Sequence, residues 1–114
     1  MNFNNTVQYL SFLSDGEDYA AQYAVYTLSG VLVRGKWESS AEMTDEGETA
    51  VYFFPNRSVC RDERGDEVLL PRAKYGDLVR ITAPDGSQHV LRVWQASAYD
   101  GPSPRLAHVR FRLK

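Results

Sequence analysis

The sequence predicts an all-β protein: a small antiparallel β-barrel or sandwich of about seven short strands with one long polar loop. Three observations carry that expectation. Runs of β-branched and aromatic residues recur between turn clusters at roughly 8–12-residue spacing. The chain from Leu106 to Lys114 alternates, with Val109, Phe111 and Leu113 on one side and His108, Arg110, Arg112 and Lys114 on the other. No long amphipathic helical pattern competes with these runs.

Taken in order, Thr6 to Phe12 is the first strand, with apolar groups on both faces. Ser14-Asp15-Gly16-Glu17-Asp18 is an acidic turn. Tyr19 to Leu28 mixes helix formers (Ala20, Ala21, Ala24) with strand formers (Tyr23, Val25, Tyr26, Thr27). A strand is preferred there, because Ser29-Gly30 makes a tight link into a further strand, Val31 to Trp37. Residues 38–48 are polar, acidic and aperiodic, which predicts a long, projecting loop. Thr49 to Phe54 is a strand stopped by Pro55. Residues 57–66 form a charged excursion, and Glu67 to Leu70 is a candidate short strand before Pro71.

Tyr75-Gly76-Asp77 bends into a hairpin of Asp77 to Thr82 and His89 to Trp94. Its turn holds Pro84-Asp85-Gly86, where Pro presets φ, Asp bonds its own backbone and Gly takes positive φ. Tyr99-Asp100-Gly101-Pro102-Ser103-Pro104 is a second turn cluster, leading into the final strand.

Composition bounds the rest. With 114 residues the chain is read as one domain, 1–114, able to bury a core without staples. Its 43% hydrophobic and 25% charged residues exclude a disordered chain. A net charge of −2 excludes a generally basic nucleic-acid binder. No apolar run approaches the ~20 residues of a membrane helix, and no membrane association is expected. Met1-Asn2-Phe3-Asn4-Asn5-Thr6 has neither a basic nor an apolar leader region, so no signal peptide is expected. Cys60 is the single cysteine, which rules out an internal disulfide and points to folding in a reducing cytoplasm.

Charge is unevenly placed. Residues 1–50 carry eight acids and two bases, and residues 51–114 carry seven acids and eleven bases, so the halves stand at −6 and +4. Such asymmetry suits head-to-tail packing of copies, although solvation of an ordinary surface explains it equally well.

The search for chemistry is mostly negative, and neither an enzyme nor a cofactor is expected. His89 and His108 lie on different strands without a carboxylate at metal-ligand spacing. No nucleophile elbow, P-loop or dinucleotide fingerprint occurs. Cys60 stands between Arg57 and Arg61, cations that can activate a thiol, but a packed free cysteine is the simpler reading. Glu38, Glu42 and Glu46 would line one helical face, a spacing without meaning in a loop. The row His108, Arg110, Arg112 and Lys114, joined by Arg80 and Arg92, could follow a phosphate backbone, with Trp94, Tyr99 and Phe53 as stacking groups if exposed. Its plain alternative is a wet sheet face.

The order of strands and turns resembles that of the small tailed-phage minor capsid and head–tail connector proteins of the stopper, or head-completion, type. The resemblance runs from Thr6–Phe12 through Val31-Leu32-Val33-Arg34-Gly35-Lys36-Trp37-Glu38 and the irregular Asp45-Glu46-Gly47 to Phe53-Phe54-Pro55-Asn56-Arg57-Ser58. It continues through Tyr75-Gly76-Asp77-Leu78-Val79-Arg80-Ile81, Asp85-Gly86, His89-Val90-Leu91-Arg92-Val93, Tyr99-Asp100-Gly101 and Arg105 to Lys114. It implies a small all-β barrel in a ring below the portal and adaptor of a phage or prophage particle, joining head to tail. The implied partners are copies of the chain, adaptor or portal and tail proteins, with transient contact to packaged DNA. The implied location is the virion, after folding in the bacterial host cytoplasm. The loop after Trp37 would then project into the channel and retain DNA, with Glu38, Glu42, Met43, Asp45, Glu46 and Glu48 as gate residues. The basic strand His108, Arg110, Arg112 and Lys114 would serve assembly or face DNA. From another class, the rival is a free-standing β-barrel module that binds nucleic acid or peptide.

Overall fold

The expected all-β architecture is realised as one antiparallel sheet that closes on itself. The computed structural model describes residues 4–15, 21–35, 49–101 and 106–114. Its strands are β1 (Asn5–Asp15), β2 (Ala21–Arg34), β3 (Thr49–Phe53), β4 (Val59–Arg61), β5 (Leu78–Thr82), β6 (Gln88–Tyr99) and β7 (His108–Leu113). The order β1-β5-β6-β7-β3-β2 returns to β1 through the β1–β2 pairing, and β4 adds to β2 beside this circuit. Closure gives each strand of the ring two neighbours and so removes open edges.

β1 runs on through Ser14 and Asp15, which the sequence assigns to a turn, and two further long strands also depart from the sequence expectation. Ser29-Gly30 was expected to link two strands, yet β2 runs unbroken through it. Gly30 instead takes φ 69°, a conformation that other residues adopt at a cost, and lets β2 change partners. Before it, Thr27–Ser29 pairs with β4; after it, Leu32–Arg34 pairs with β3. A Cβ at Gly30 would stand 3.1 Å from the Arg57 carbonyl oxygen, so a side chain at the crossing would push that backbone back by a few tenths of an ångström, on top of the strained φ.

The second long strand is β6, which continues past Trp94 to Tyr99. Gln95-Ala96-Ser97-Ala98 has little intrinsic strand preference, which hid this extension. Pairing with β7 supplies what propensity lacks, after a register shift between Val93 and Gln95 where β6 passes from β5 to β7.

The 57–66 excursion is ordered and contains a strand that was not expected. Ser58 Oγ donates to the Gly30 carbonyl at 2.6 Å and accepts from Phe54 N at 2.9 Å, pinning β4 to β2. Asp62 Oδ1 then accepts from the backbone N–H groups of Arg64 and Asp66, at 2.9 and 3.0 Å. Conversely, Glu67–Leu70 forms no strand. Its pairing with β4 stops at the Arg61–Glu67 bridge and a Val68 N–H to Cys60 carbonyl bond, and Leu69 projects 92% exposed.

Alternation on β7 sorts as expected. Phe111 and Leu113 are buried and Val109 packs against the core, which also holds Val7, Tyr9, Leu28, Val31, Val51, Val79 and Ile81. Phe111 and Tyr9 meet across the barrel with ring centroids 5.1 Å apart. The Pro84-Asp85-Gly86 turn also forms, with Gly86 at φ 88° and Asp85 Oδ1 accepting from Ser87 N and Oγ. Those two bonds hold the Asp85 carboxyl below its ordinary range.

Among the described residues one charged side chain is buried. Asp77 is fully buried at the start of β5 and accepts from Tyr9 OH at 2.5 Å, Phe12 N at 2.8 Å and Lys74 N at 2.9 Å. Lys74 Nζ stands 3.4 Å from Asp77 Oδ1, the oxygen that accepts from Phe12 N, and donates to Ser11 Oγ. Burial, then the bond and the charge of Asp77, push the Tyr9 phenol far above its ordinary pKa, so the hydroxyl stays a donor.

Candidate functional site

The outer face of β3, β7 and β6 gathers the groups that the core does not need. None of these three strands contains an acid. The period-2 pleat turns His108, Arg110, Arg112 and Lys114 outward from β7. Register then fixes their neighbours: Arg112 lies between Ala50 and Gln95, Arg110 between Tyr52 and Ser97, and His108 beside Tyr99.

This face has two ends of different character. At one, His108 sits among the rings of Tyr99, Phe54 and Tyr52, with centroids at 5.3, 5.7 and 5.6 Å. Its Nδ1 contacts the Leu106 carbonyl at 2.9 Å, so the imidazole is a packed member of an aromatic cluster. Arg110 occupies the middle, its Nε buried with no hydrogen-bond partner among the described residues.

The other end is built by the β6 bulge, which sets Trp94 and Gln95 in succession on the exposed side. The Arg112 guanidinium stands 4.3 Å and Lys114 Nζ 4.6 Å from the Trp94 ring centroid, both in cation–π range. Arg112 also donates to Gln95 Oε1 at 2.7 Å. Beside them a groove of about 400 Å³ runs between residues 92–96 and Ala73, Lys74 and Tyr75. Tyr75 is 91% exposed at its rim and Trp94 40% exposed on its wall.

Several sequence expectations therefore separate. Trp94 and Tyr99 are exposed and available for stacking, whereas Phe53 is buried in the core and drops out. Arg92 joins the groove, but Arg80 lies away from it, bonded through Nη1 to Gln8 Oε1 at 2.6 Å on the β1–β5 side. Glu38, Glu42, Met43, Asp45, Glu46 and Glu48 lie outside the described residues. Tyr75, which stands next to the Gly76 bend, was missed as a site residue; its place beside a glycine turn, outside the strand pattern, was its only signal.

Cys60 is buried, with Sγ 3.9 Å from the Leu69 carbonyl oxygen. Burial first, and the Asp62 charge second, push its pKa up to about 11, so Arg57 and Arg61 do not activate it. It lines an open groove of about 730 Å³ with Phe53, Val68, Leu69 and Val109. Among the described residues, no group of three or more His, Cys, Asp or Glu side chains could hold a metal ion, and no helix is long and apolar enough to cross a membrane. Comparison with protein-family models, curated proteins and solved structures finds no match to this chain.

Proposed function

We propose that the chain is a structural subunit of a tailed-phage or prophage head–tail connector, of the stopper type, that packs as a ring and joins head to tail. The observation that carries the proposal is the outer face of β3, β7 and β6. It concentrates Arg110, Arg112 and Lys114 with no acid in its three strands, in a chain whose first 50 residues stand at −6. Copies that brought the acids of the first 50 residues against the basic face of the next would have complementary potential at every interface of a ring. A barrel closed through β1–β2 suits that role, because its ring of strands offers rigid outer faces, with the three-residue β4 lying beside the circuit. Residues 38–48, with five acids and no base, would repel phosphate and so contact DNA without adhering to it.

The test is to tag the chain in cells that make the particle and to fractionate the lysate by sedimentation. The proposal expects the tagged chain to travel with DNA-filled heads and to leave them as salt is raised. A chain that never sediments with heads, in cells that produce them, overturns it.

A further inference from the structure

The groove at the β6 bulge is a ready-made platform for a flat, negatively charged polymer. We infer that Trp94, Tyr75, Arg92, Arg112 and Lys114 form a binding site for single-stranded nucleic acid. This goes beyond the connector reading and shares Arg112 and Lys114 with the face given there to ring packing. The site therefore belongs to the free chain before copies pack, and its test reads binding by the free chain instead of entry into particles.

The chemistry follows from placement. Alternation after the buried Val93 turns Trp94 outward, and the bulge at Val93/Gln95 leaves it with no β7 residue opposite it in the ladder, so its ring is presented at the surface. Tyr75, held out by the bend at Gly76 (φ 96°), lines the same groove at its rim. Two aromatic groups at one groove can each take the face of an unpaired base, a contact indifferent to sequence. Three cations surround them: Arg92 in the groove, with Arg112 and Lys114 against the Trp94 ring. Their charges serve the sugar–phosphate backbone beside a stacked base.

A duplex fits this arrangement poorly. Its bases are already stacked on one another, so neither Trp94 nor Tyr75 would gain a partner without unpairing. An acidic protein segment would satisfy the cations but leave both rings without a role. The rings therefore favour single strands.

The test uses full-length chain carrying Trp37→Phe, which leaves Trp94 as the one tryptophan reporter. Oligo-dT and oligo-rU of about 12 nucleotides, within the usual span of a small barrel, are the probes. Controls are an abasic strand of the same length, a duplex and poly-glutamate. Saturable quenching of Trp94 fluorescence by both oligo-dT and oligo-rU is expected. The logarithm of the affinity should fall with the logarithm of salt at a slope near −2, about −0.7 for each of three phosphates.

Trp94→Ala should weaken base-bearing strands by between about 5-fold and 150-fold while leaving the abasic strand unaffected. Trp94→Phe should recover most of that loss, which separates stacking from damage to the fold. Absence of quenching with folded protein overturns the inference. So does equal binding of abasic and base-bearing strands, or tighter binding of the duplex. Quenching by poly-glutamate as strong as by oligo-dT would assign the face to an acidic protein instead.

Discussion

The buried Asp77 cluster and the outer face of β7 place charged and aromatic groups side by side for opposite reasons. At Asp77 three donors converge on one carboxylate, and Lys74 completes the set. Two of these bonds, from Tyr9 and Phe12, tie β1 to the start of β5, and the third, from Lys74, closes the 73–77 bend on itself. Burying a charge demands such complete pairing. On β7 the demand is absent. Arg112 and Lys114 rest on a half-exposed tryptophan, and the core beneath would close without them. The difference teaches where to look for function in this barrel: polar groups held inside are there for the fold, and those massed outside without structural need are available to a partner.

The largest effect expected from that contrast lies on the inward side of β7. Phe111→Ala should cost about 3–5 kcal/mol in urea melts, because it empties the space against Tyr9. Next comes Asp77→Ala, which strands the Tyr9 hydroxyl and the Phe12 and Lys74 N–H groups; a loss of about 3 kcal/mol follows from about 1 for each orphaned donor. Asp77→Asn, which keeps acceptor capacity on one atom, should lose less. If Asp77→Ala melts like the unsubstituted chain, the cluster is not the tie described above.

Cys60 extends the sealed side to a pH dependence. The folded thiol titrates near 11 and the unfolded one near 9, so the unfolded chain releases its proton first as pH rises. The contribution is therefore fully present below pH 9 and is lost as pH climbs towards 11; it amounts to about 2 kcal/mol. Melts at pH 8 and pH 10.5 should show this loss in the natural chain and a smaller one in Cys60→Ala. Smallest of all is Arg112→Ala, at below about 1 kcal/mol, since an exposed cation–π contact contributes little to stability. Equal losses for Phe111→Ala and Arg112→Ala would erase the distinction between the two faces of β7.

Much of this was legible in the residues because β7 and the β5–β6 hairpin state their structure locally. Strict alternation in His108 to Leu113 assigns both faces, and Pro84-Asp85-Gly86 has one sensible conformation. What escaped depends on partners far away in the chain. β4 is three residues of a charged stretch and exists because Ser58 bonds across to Gly30. Gly30 looks like a chain reversal in sequence and acts as a bend within one strand, since only pairing with β4 and β3 reveals the difference. The site was half visible. Its cations followed from β7 alternation, but Tyr75 and Arg92 join Trp94 only once the bulge and the 73–75 segment are folded together. Asp77 carried no sign of burial, because a carboxylate after glycine reads as an ordinary turn residue.

The central claim is that the outward row of β7 serves association while the inward row holds the barrel. Incorporation of the double variant Arg112→Glu, Lys114→Glu into purified particles, measured beside its urea midpoint, tests it most directly. The account predicts a midpoint close to that of the natural chain and loss of the variant from DNA-filled heads. A variant that melts normally and still enters heads in full amount would contradict it.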